Sequence, residues 1–337
     1  MSRWGEVVNE YLWAAAGFGL LIVGAEALVH GAVAIAQRLR VSPLLIGVTV
    51  VAYGTSTPEL VVSVNASLSG NYGIAVGNVV GSNIFNILFI LGLTALIAPI
   101  TVSARAIGRD GLFALVAAGM FIWVAMLNPA APTVGFDEGV LFLALLLSMI
   151  LFSYAQEQGR ADTIDDASRF MKVRPLAHSL LIDLGLIGVG LALLVIGADV
   201  LVHSSIAIAR EFNLSETVIG LTLVAAGTSL PELMTSVVAA LRRNPDIALG
   251  NIVGSNIYNI LAILGVASLI GPVQIDKEIV RLDMWVMLAA TIALFLPMLT
   301  GGRMGRFYGL LLLVGYVAYV SFLLQQAGVV RLPMFLQ

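Results

Sequence analysis

The chain has 337 residues, of which 59% are hydrophobic and only 11% charged, and its formal net charge is −3. Its mean hydropathy of +1.01 is that of a protein embedded in lipid. A sequence without cysteine has no disulfides and no thiolate metal ligands. We therefore expect an integral membrane protein with the bilayer as its main partner, no nucleic acid partner and no obligate protein partner.

Apolar runs long enough to cross a bilayer follow one another along the whole chain. They predict an all-α membrane protein with ten transmembrane helices. In chain order the spans are approximately 11–36, 44–68, 74–97, 107–127, 137–155, 179–208, 215–241, 247–270, 280–299 and 307–325. The most polar break, 156–178, separates two regions of five spans each, 1–155 and 179–337.

The distribution of positive charge predicts the orientation in the membrane. Twelve of the 17 Lys and Arg residues lie in the loops after spans 1, 3, 5, 7 and 9. By the positive-inside rule, the 156–178 linker is cytoplasmic and both termini are outside. The N-terminal segment does not have the pattern of a cleavable signal peptide. We expect a multi-pass protein of the plasma membrane, that is, of the cytoplasmic or inner membrane.

A long internal repeat relates the two halves. Residues 22–100 align without a gap on residues 195–273, and slightly more than half of the aligned positions are identical. Because five spans separate the copies, the second copy should be inverted in the membrane. The flanking charges agree, since Arg38 aligns with Glu211 and Ser69 with Arg242. The sequence therefore predicts two inverted five-helix repeats, an architecture common in secondary transporters.

The best-matched part of the repeat is polar. GTSTPE (54–59) recurs as GTSLPE (227–232), and GNVVGSNIFNIL (77–88) recurs as GNIVGSNIYNIL (250–261). Pro58 and Pro231 should interrupt spans 2 and 7, because proline has no N–H and leaves a carbonyl without a partner one turn earlier. Glu59 and Glu232 follow at once, and a carboxylate at membrane depth is a functional candidate by default.

Further oxygen atoms surround the two acids in the predicted motifs. They belong to Ser56, Ser82 and Asn86 in motif 52–86, and to Ser229, Ser255 and Asn259 in motif 225–259. Hard oxygen ligands with a formal charge of −2 suit Ca²⁺, which takes six to eight such ligands. Two carboxylates neutralise one Ca²⁺ or two Na⁺, so competing ions would exchange. Protons should compete too, and transport should slow as pH falls. We predict a secondary transporter rather than an enzyme, because no nucleophile–base constellation or phosphate-binding loop occurs in the sequence.

The two copies of GTS-x-PE and GN-x-x-GSN-x-x-N resemble the sodium/calcium exchangers of the cation/calcium antiporter superfamily, in their prokaryotic form. The resemblance implies Na⁺/Ca²⁺ antiport by alternating access, with both ions as substrates and no cofactor. It implies a Ca²⁺ site at Glu59, Glu232, Thr55 and Thr228. It implies Na⁺ sites at Ala52, Ser56, Ser82 and Glu232 and at Ala225, Ser229, Ser255 and Glu59. Asn86 and Asn259 would complete the centre.

One departure from the family pattern bears on the ions. Some prokaryotic relatives and the potassium-dependent exchangers have Asp where this chain has Asn259. The missing carboxylate weakens the case for K⁺ co-transport and leaves the Na⁺:Ca²⁺ ratio open. GTS-x-PE favours Na⁺ over H⁺ as the counter-ion. The alternatives are an H⁺/Ca²⁺ antiporter on the same fold and, less favoured, a cation channel.

Several repeated polar residues lie outside these motifs or have a second interpretation. Glu26 with His30, and Asp199 with His203, either line the ion passage as a gate or form local acid–imidazole pairs, since each pair is spaced four apart on a helix. Ser82 and Ser255 either bind ions or allow close helix packing. Asn83 and Asn256 point to a different face from the motif ligands and predict hydrogen bonds between helices.

Overall fold

The computed structural model describes residues 3–101, 104–158, 179–212, 225–301 and 303–326. The helices are α1 Arg3–Leu39, α2 Pro43–Thr55, α3 Thr57–Leu68, α4 Tyr72–Ile97, α5 Ala104–Leu127, α6 Phe136–Gln158, α7 Leu180–Glu211, α8 Leu230–Leu241, α9 Pro245–Ile270, α10 Ile279–Met298 and α11 Arg306–Gln326. A single helical turn, Ala225–Gly227, precedes α8.

Within these ranges, eight helices are long and apolar enough to cross a membrane, and the bent pair α2–α3 makes a ninth candidate. The expected span 44–68 is thus two helices at an angle of 46° rather than one. The expected span 215–241 is described only from residue 225 onward, and most of the 156–178 linker, residues 159–178, lies outside the described part. The predicted mostly helical membrane protein is confirmed.

The long helices α1 and α7 pack against each other in antiparallel orientation. Gly17 lies against Gly197 and Leu201, whereas Gly24 lies against Gly190 and Leu194. A Cβ atom added at Gly24 or Gly190 would lie within 2.8 Å of backbone atoms on the facing helix. Glycine every seven residues therefore lets the two backbones approach as closely as small residues permit in lipid. These are equivalent helices of the two repeats.

Two short antiparallel ladders connect the halves of the chain. Strand β1, Ile100–Thr101, pairs with β4, Arg303–Met304, and β2, Thr133–Val134, pairs with β3, Val273–Gln274. Because β1 and β3 occupy equivalent positions in the internal repeat, each copy contributes one strand to a ladder with the other half. The ladders satisfy backbone groups where the chain leaves a span.

The helices after the two breaks end in the same backbone conformation. α3 is followed by Gly70 at φ 72°, and α8 by the equivalent Arg243 at φ 61°. Glycine enters the left-handed region freely, whereas a side chain there costs about 1–2 kcal/mol. Arg243 is therefore held in a locally strained conformation that glycine adopts at the equivalent position of the other copy.

Helices α4 and α9 both contain a wide π-helical stretch, Phe85–Leu91 and Asn259–Leu264. Asn86 is the second residue of the first stretch, and Asn259 is the first of the other. π-helical turns re-aim side chains relative to a regular helix and often occur at functional sites. Both stretches therefore place a motif asparagine where helix geometry changes, deep among buried residues.

Candidate ion-binding site

The site begins at the two breaks in the polar motifs. Ser56 separates α2 from α3 with φ −82° and ψ 6°, and Ser229 precedes α8 with φ −89° and ψ 10°. Pro58 and Pro231 follow as the second residue of each new helix, where proline is tolerated because its missing N–H would have no helical partner. The breaks expected from the sequence are therefore local consequences of the Ser-x-Pro pattern.

The serines at the breaks bind across the repeat rather than capping their own helices. The Ser56 hydroxyl donates to Glu232 Oε1 at 3.0 Å, and the Ser229 hydroxyl donates to Glu59 Oε1 at 2.9 Å. A serine before a helix usually accepts from the backbone of its first turn, yet neither does so here. All four side chains are at most 3% exposed. The crossed bonds join the two motifs into one site.

Both carboxylates are placed where negative charge is partly compensated. Glu59 lies in the first turn of α3 and Glu232 in the first turn of α8. The positive end of a helix dipole favours an anion at that position. The two carboxylates also repel each other electrostatically. Two like charges buried together are costly unless a cation joins them.

Most of the unpartnered buried oxygens belong to residues predicted as ligands. Among the residues that the structure describes, eight buried side-chain oxygens have no hydrogen-bond partner, and six of them belong to predicted ligand residues. The six are Glu59 Oε2, Glu232 Oε2, Asn86 Oδ1, Asn259 Oδ1, Ser255 Oγ and Thr228 Oγ1. Buried acceptors without donors are rare in native proteins and require a reason. A bound cation would satisfy them together.

Three further predicted ligands are Ser82, Ala52 and Ala225, and the structure describes contacts for the first two. Ser82 Oγ is 3.4 Å from Ser229 Oγ, which connects α4 to the crossed serine–glutamate pairs. The Ala52 carbonyl accepts from the Ser56 N–H at 3.0 Å, and Thr55 Oγ1 lies 3.3 Å from the same carbonyl. The side chain of Ala225 lies outside the described part of the chain. Ser82 is therefore connected to the crossed pairs, whereas the contacts of the Ala52 carbonyl are local to its own helix.

Four asparagines connect α4 and α9 beside the site. Asn83 Nδ2 donates to the Asn256 carbonyl and Asn256 Nδ2 to the Asn83 carbonyl, both at 3.2 Å. Asn86 Nδ2 donates to Asn256 Oδ1 at 3.1 Å, and Asn259 Nδ2 to Asn83 Oδ1 at 3.0 Å. Asn83 and Asn256 thus make the helix–helix hydrogen bonds expected of them, and each also holds a predicted ligand.

Two further asparagines, Asn78 and Asn251, contact the backbone of the glutamates, a role that the sequence analysis did not assign to them. Asn78 Nδ2 donates to the Glu59 carbonyl at 3.2 Å and to Ser63 Oγ at 2.9 Å. The equivalent Asn251 binds the Glu232 carbonyl and Ser236 Oγ over the same distances. These bonds attach α3 to α4 and α8 to α9, so each helix that carries a glutamate is held by the span that follows it. In the sequence, the feature that could have indicated this role is that asparagine occurs at the same position in both copies.

The Thr residues of the motifs differ between the copies. The Thr55 hydroxyl donates to Asn251 Oδ1 at 3.0 Å, whereas the Thr228 hydroxyl is the unpartnered oxygen noted above. The site therefore has pseudo-twofold symmetry in its serine–glutamate and asparagine contacts, but not in every contact.

The acid–imidazole pairs have local partners. His30 Nδ1 lies 2.8 Å from the Glu26 carbonyl and 3.7 Å from its carboxylate, and His203 relates similarly to Asp199, with 3.3 Å between side chains. The Glu26 carboxylate is also bound in a forked ion pair by Arg242, which sequence reasoning missed. The local pairing is therefore present, and Glu26 additionally connects α1 to the end of α8.

The donor set decides the chemistry of the site. No group of three His, Asp or Glu side chains assembles anywhere in the described ranges. A cation held here would have two carboxylates and would fill its shell with neutral hydroxyl, amide and carbonyl oxygens. Such a shell suits hard cations, Ca²⁺ above all, and offers nothing to soft metals.

Comparisons with known proteins agree with this chemistry. The family model described as sodium/calcium exchanger protein matches residues 10–155 and 182–325. The chain is 41% identical to the putative antiporter CaxA of Alkalimonas amylolytica over 90% of this chain and 95% of that protein. It is 33% identical to the sodium/calcium exchanger MaX1 of Methanosarcina acetivorans, with the same coverage of both chains.

A solved structure of the sodium-calcium exchanger NCX_Mj, soaked with zero Na⁺ and Ca²⁺, superimposes with a TM-score of 0.77 at 33% identity. The match covers 94% of this chain and 99% of that one. Both the family model and the relatives extend over both halves of the chain. The chain therefore belongs to the sodium/calcium exchanger family and is a membrane cation/calcium antiporter, not a catalytic enzyme.

Proposed function

We propose that the chain exchanges Na⁺ for Ca²⁺ across the cytoplasmic membrane. The observation that carries the proposal is the pair of buried glutamates, each bound by the serine of the opposite motif and each with one oxygen left unpartnered. Two carboxylates can neutralise one Ca²⁺ or two Na⁺, but not both loads at once. Competition for the same charges makes the ions exchange.

The central Ca²⁺ site uses Glu59 and Glu232 together with the carbonyls of Thr55 and Thr228. The two Na⁺ sites flank it, one at Ala52, Ser56, Ser82 and Glu232, the other at Ala225, Ser229, Ser255 and Glu59. Asn86 and Asn259 complete the centre with amide oxygens. The unpartnered oxygens of six residues in these motifs support this assignment. So does the crossed pairing, because each Na⁺ site combines a serine from one motif with the glutamate from the other.

The proposed architecture has ten spans in two inverted repeats, 1–155 and 179–337, joined by a cytoplasmic linker at 156–178, with both termini outside. The antiparallel packing of α1 on α7 supports the inversion, because these helices are equivalent in the repeat. Alternating access would move α1 and α7 across the helices that carry the motifs. Glu26, His30, Asp199 and His203 lie on the moving pair and would border the ion passage. A relative in Escherichia coli, 35% identical over 91% of this chain, is named an inner membrane protein, which supports the location.

The counter-ion is tested with purified protein in liposomes. Uptake of radiolabelled Ca²⁺ is measured with internal Na⁺, with internal K⁺, and with an imposed pH gradient. The variants are Glu232→Gln and, as a control that removes an exposed carboxylate from α6, Asp137→Asn. We expect uptake only with internal Na⁺, abolished by Glu232→Gln and retained by Asp137→Asn. Uptake driven by the pH gradient without Na⁺ would establish H⁺ as the counter-ion, and unchanged uptake in Glu232→Gln would refute the paired-carboxylate site.

A further inference from the structure

The amide groups of Asn86 and Asn259 have a defined orientation in this structure. Each turns its nitrogen to the asparagine that faces it and leaves its oxygen buried and unpartnered. An asparagine side chain has an acceptor end and a donor end of nearly equal size. Only the acceptor end can bind a cation. Cation binding therefore depends on the contacts that keep the amide oxygen, rather than the amide nitrogen, directed into the site.

Two backbone carbonyls determine the orientation of these amides, because a carbonyl oxygen can only accept a hydrogen bond. Asn83 Nδ2 must be the atom that faces the Asn256 carbonyl, so Asn83 presents Oδ1 in the other direction. That oxygen accepts from Asn259 Nδ2 at 3.0 Å, which forces Asn259 Oδ1 to the opposite side. The same chain of contacts runs from the Asn83 carbonyl through Asn256 to Asn86. Both copies of the repeat therefore show the same amide orientation, with the oxygen of Asn259 or Asn86 directed away from the asparagine that it contacts.

The geometry points to Asn83 and Asn256 as positioning residues that keep Asn259 and Asn86 as oxygen ligands of the transported cation. This inference rests on the proposed function, since it concerns the ions bound at that site. Asn83 and Asn256 are at most 2% exposed, so water cannot replace their bonds. An amide released from its positioning residue can turn its NH₂ group into the pocket that holds two carboxylates. The turned amide would donate to a carboxylate and oppose a cation.

The positioning has a consequence for charge at the site. The Asn83 oxygen faces position 259 as an acceptor, so it matches an amide nitrogen there and not a carboxylate oxygen. The contact of Asn83 with position 259 therefore favours a neutral amide over an ionised carboxylate at that position. A carboxylate has two acceptor ends and needs no such positioning.

The test is equilibrium binding of radiolabelled Ca²⁺ to the purified full-length protein, with Asn83→Leu made both alone and together with Asn259→Asp. Alone, Asn83→Leu should weaken Ca²⁺ binding about tenfold, the upper end of the loss expected for one hydrogen bond between neutral groups. In the Asn259→Asp background the same substitution should leave the Ca²⁺ dissociation constant unchanged or lower it. A purely structural role would weaken binding equally in both backgrounds and would overturn the inference.

The second copy supplies a test if Asn83→Leu does not fold, as judged by its elution from a gel-filtration column. Asn256→Leu should then weaken Ca²⁺ binding alone and should not weaken it in the Asn86→Asp background. Failure of this inference is distinct from failure of the proposed function. If the unsubstituted protein bound no Ca²⁺, the function itself would be wrong. If it bound and exchanged Ca²⁺ while Asn83→Leu had no effect, only the positioning role would be refuted.

Discussion

The Ser56 hydroxyl, at the break between α2 and α3, donates a 3.0 Å hydrogen bond to Glu232, the acid of the opposite motif. Ser229 and Glu59 form the matching bond in the other direction. Each motif therefore contributes the serine of one pair and the glutamate of the other. Under the proposed function both copies of the repeat are needed, in agreement with the polar residues that the two copies share.

Removing a crossed serine should affect Na⁺ more than Ca²⁺. Ser56→Ala removes a hydroxyl ligand from one proposed Na⁺ site and leaves Glu232 Oε1 without its donor, a loss worth about 1–3 kcal/mol. We expect the apparent Na⁺ affinity to fall about tenfold, and the Ca²⁺ affinity to change much less. Ion dependence of exchange in liposomes measures both. Thr57→Ala is the control, because its exposed hydroxyl binds only the Tyr53 carbonyl among the described contacts. An equal effect of Thr57→Ala would contradict the assignment.

Acidification should slow exchange. Cation binding needs the carboxylates of Glu59 and Glu232 ionised, and both are buried. Protons therefore compete with Ca²⁺ and Na⁺, and the exchange rate should fall steadily from about pH 8 to about pH 5. The initial rate at several Ca²⁺ concentrations is the measurement, since excess Ca²⁺ should partly restore it. A rate independent of pH over this range would count against the charge competition.

The glycine contacts between α1 and α7 should be essential for stability. Gly190→Ala places a Cβ atom 2.6 Å from the Leu28 nitrogen, so the helices must separate. Overpacking of this kind typically costs about 1–3 kcal/mol. We expect a lower melting temperature in detergent, measured by loss of the monodisperse gel-filtration peak after heating.

Gly185→Ala is the matched control on the same helix. Nothing lies within 4 Å of a Cβ atom there, and alanine favours a helix by up to about 1 kcal/mol over glycine. This variant should be as stable as the unsubstituted protein or more so. Equal destabilisation by both substitutions would show that close approach of α1 and α7 is not the cause.

The ion pair between Arg242 and Glu26 should restrain α1 against the helix that carries Glu232. The pair is exposed, so its contribution to the stability of the protein is small. Arg242→Gln should increase hydrogen–deuterium exchange of α1 around Glu26 by up to about fivefold. The charge swap Glu26→Arg with Arg242→Glu should restore the slow exchange. Arg243→Gln, a neighbouring loss of the same charge, should not increase it, and if it did, general electrostatics rather than this pair would be responsible.

The sequence by itself determined the membrane class, the repeat and the motif residues. Each has a local physical cause, because hydrophobic length, the proline at each break and a carboxylate at membrane depth are properties of short segments. The resemblance to the exchanger family added the proposed ligand sets, and comparison with known proteins confirmed the family.

Only the tertiary structure decided how the two motifs combine. No sequence pattern states that Ser56 leaves its own helix uncapped and binds Glu232, that Asn83 orients Asn259, or that Arg242 reaches Glu26. These residues are between 176 and 216 positions apart. Contacts over such separations depend on where whole helices cross, and those crossings depend on packing such as the glycine contacts of α1 with α7. Local chemistry therefore predicted the candidate ligands, and helix packing determined which residues they contact.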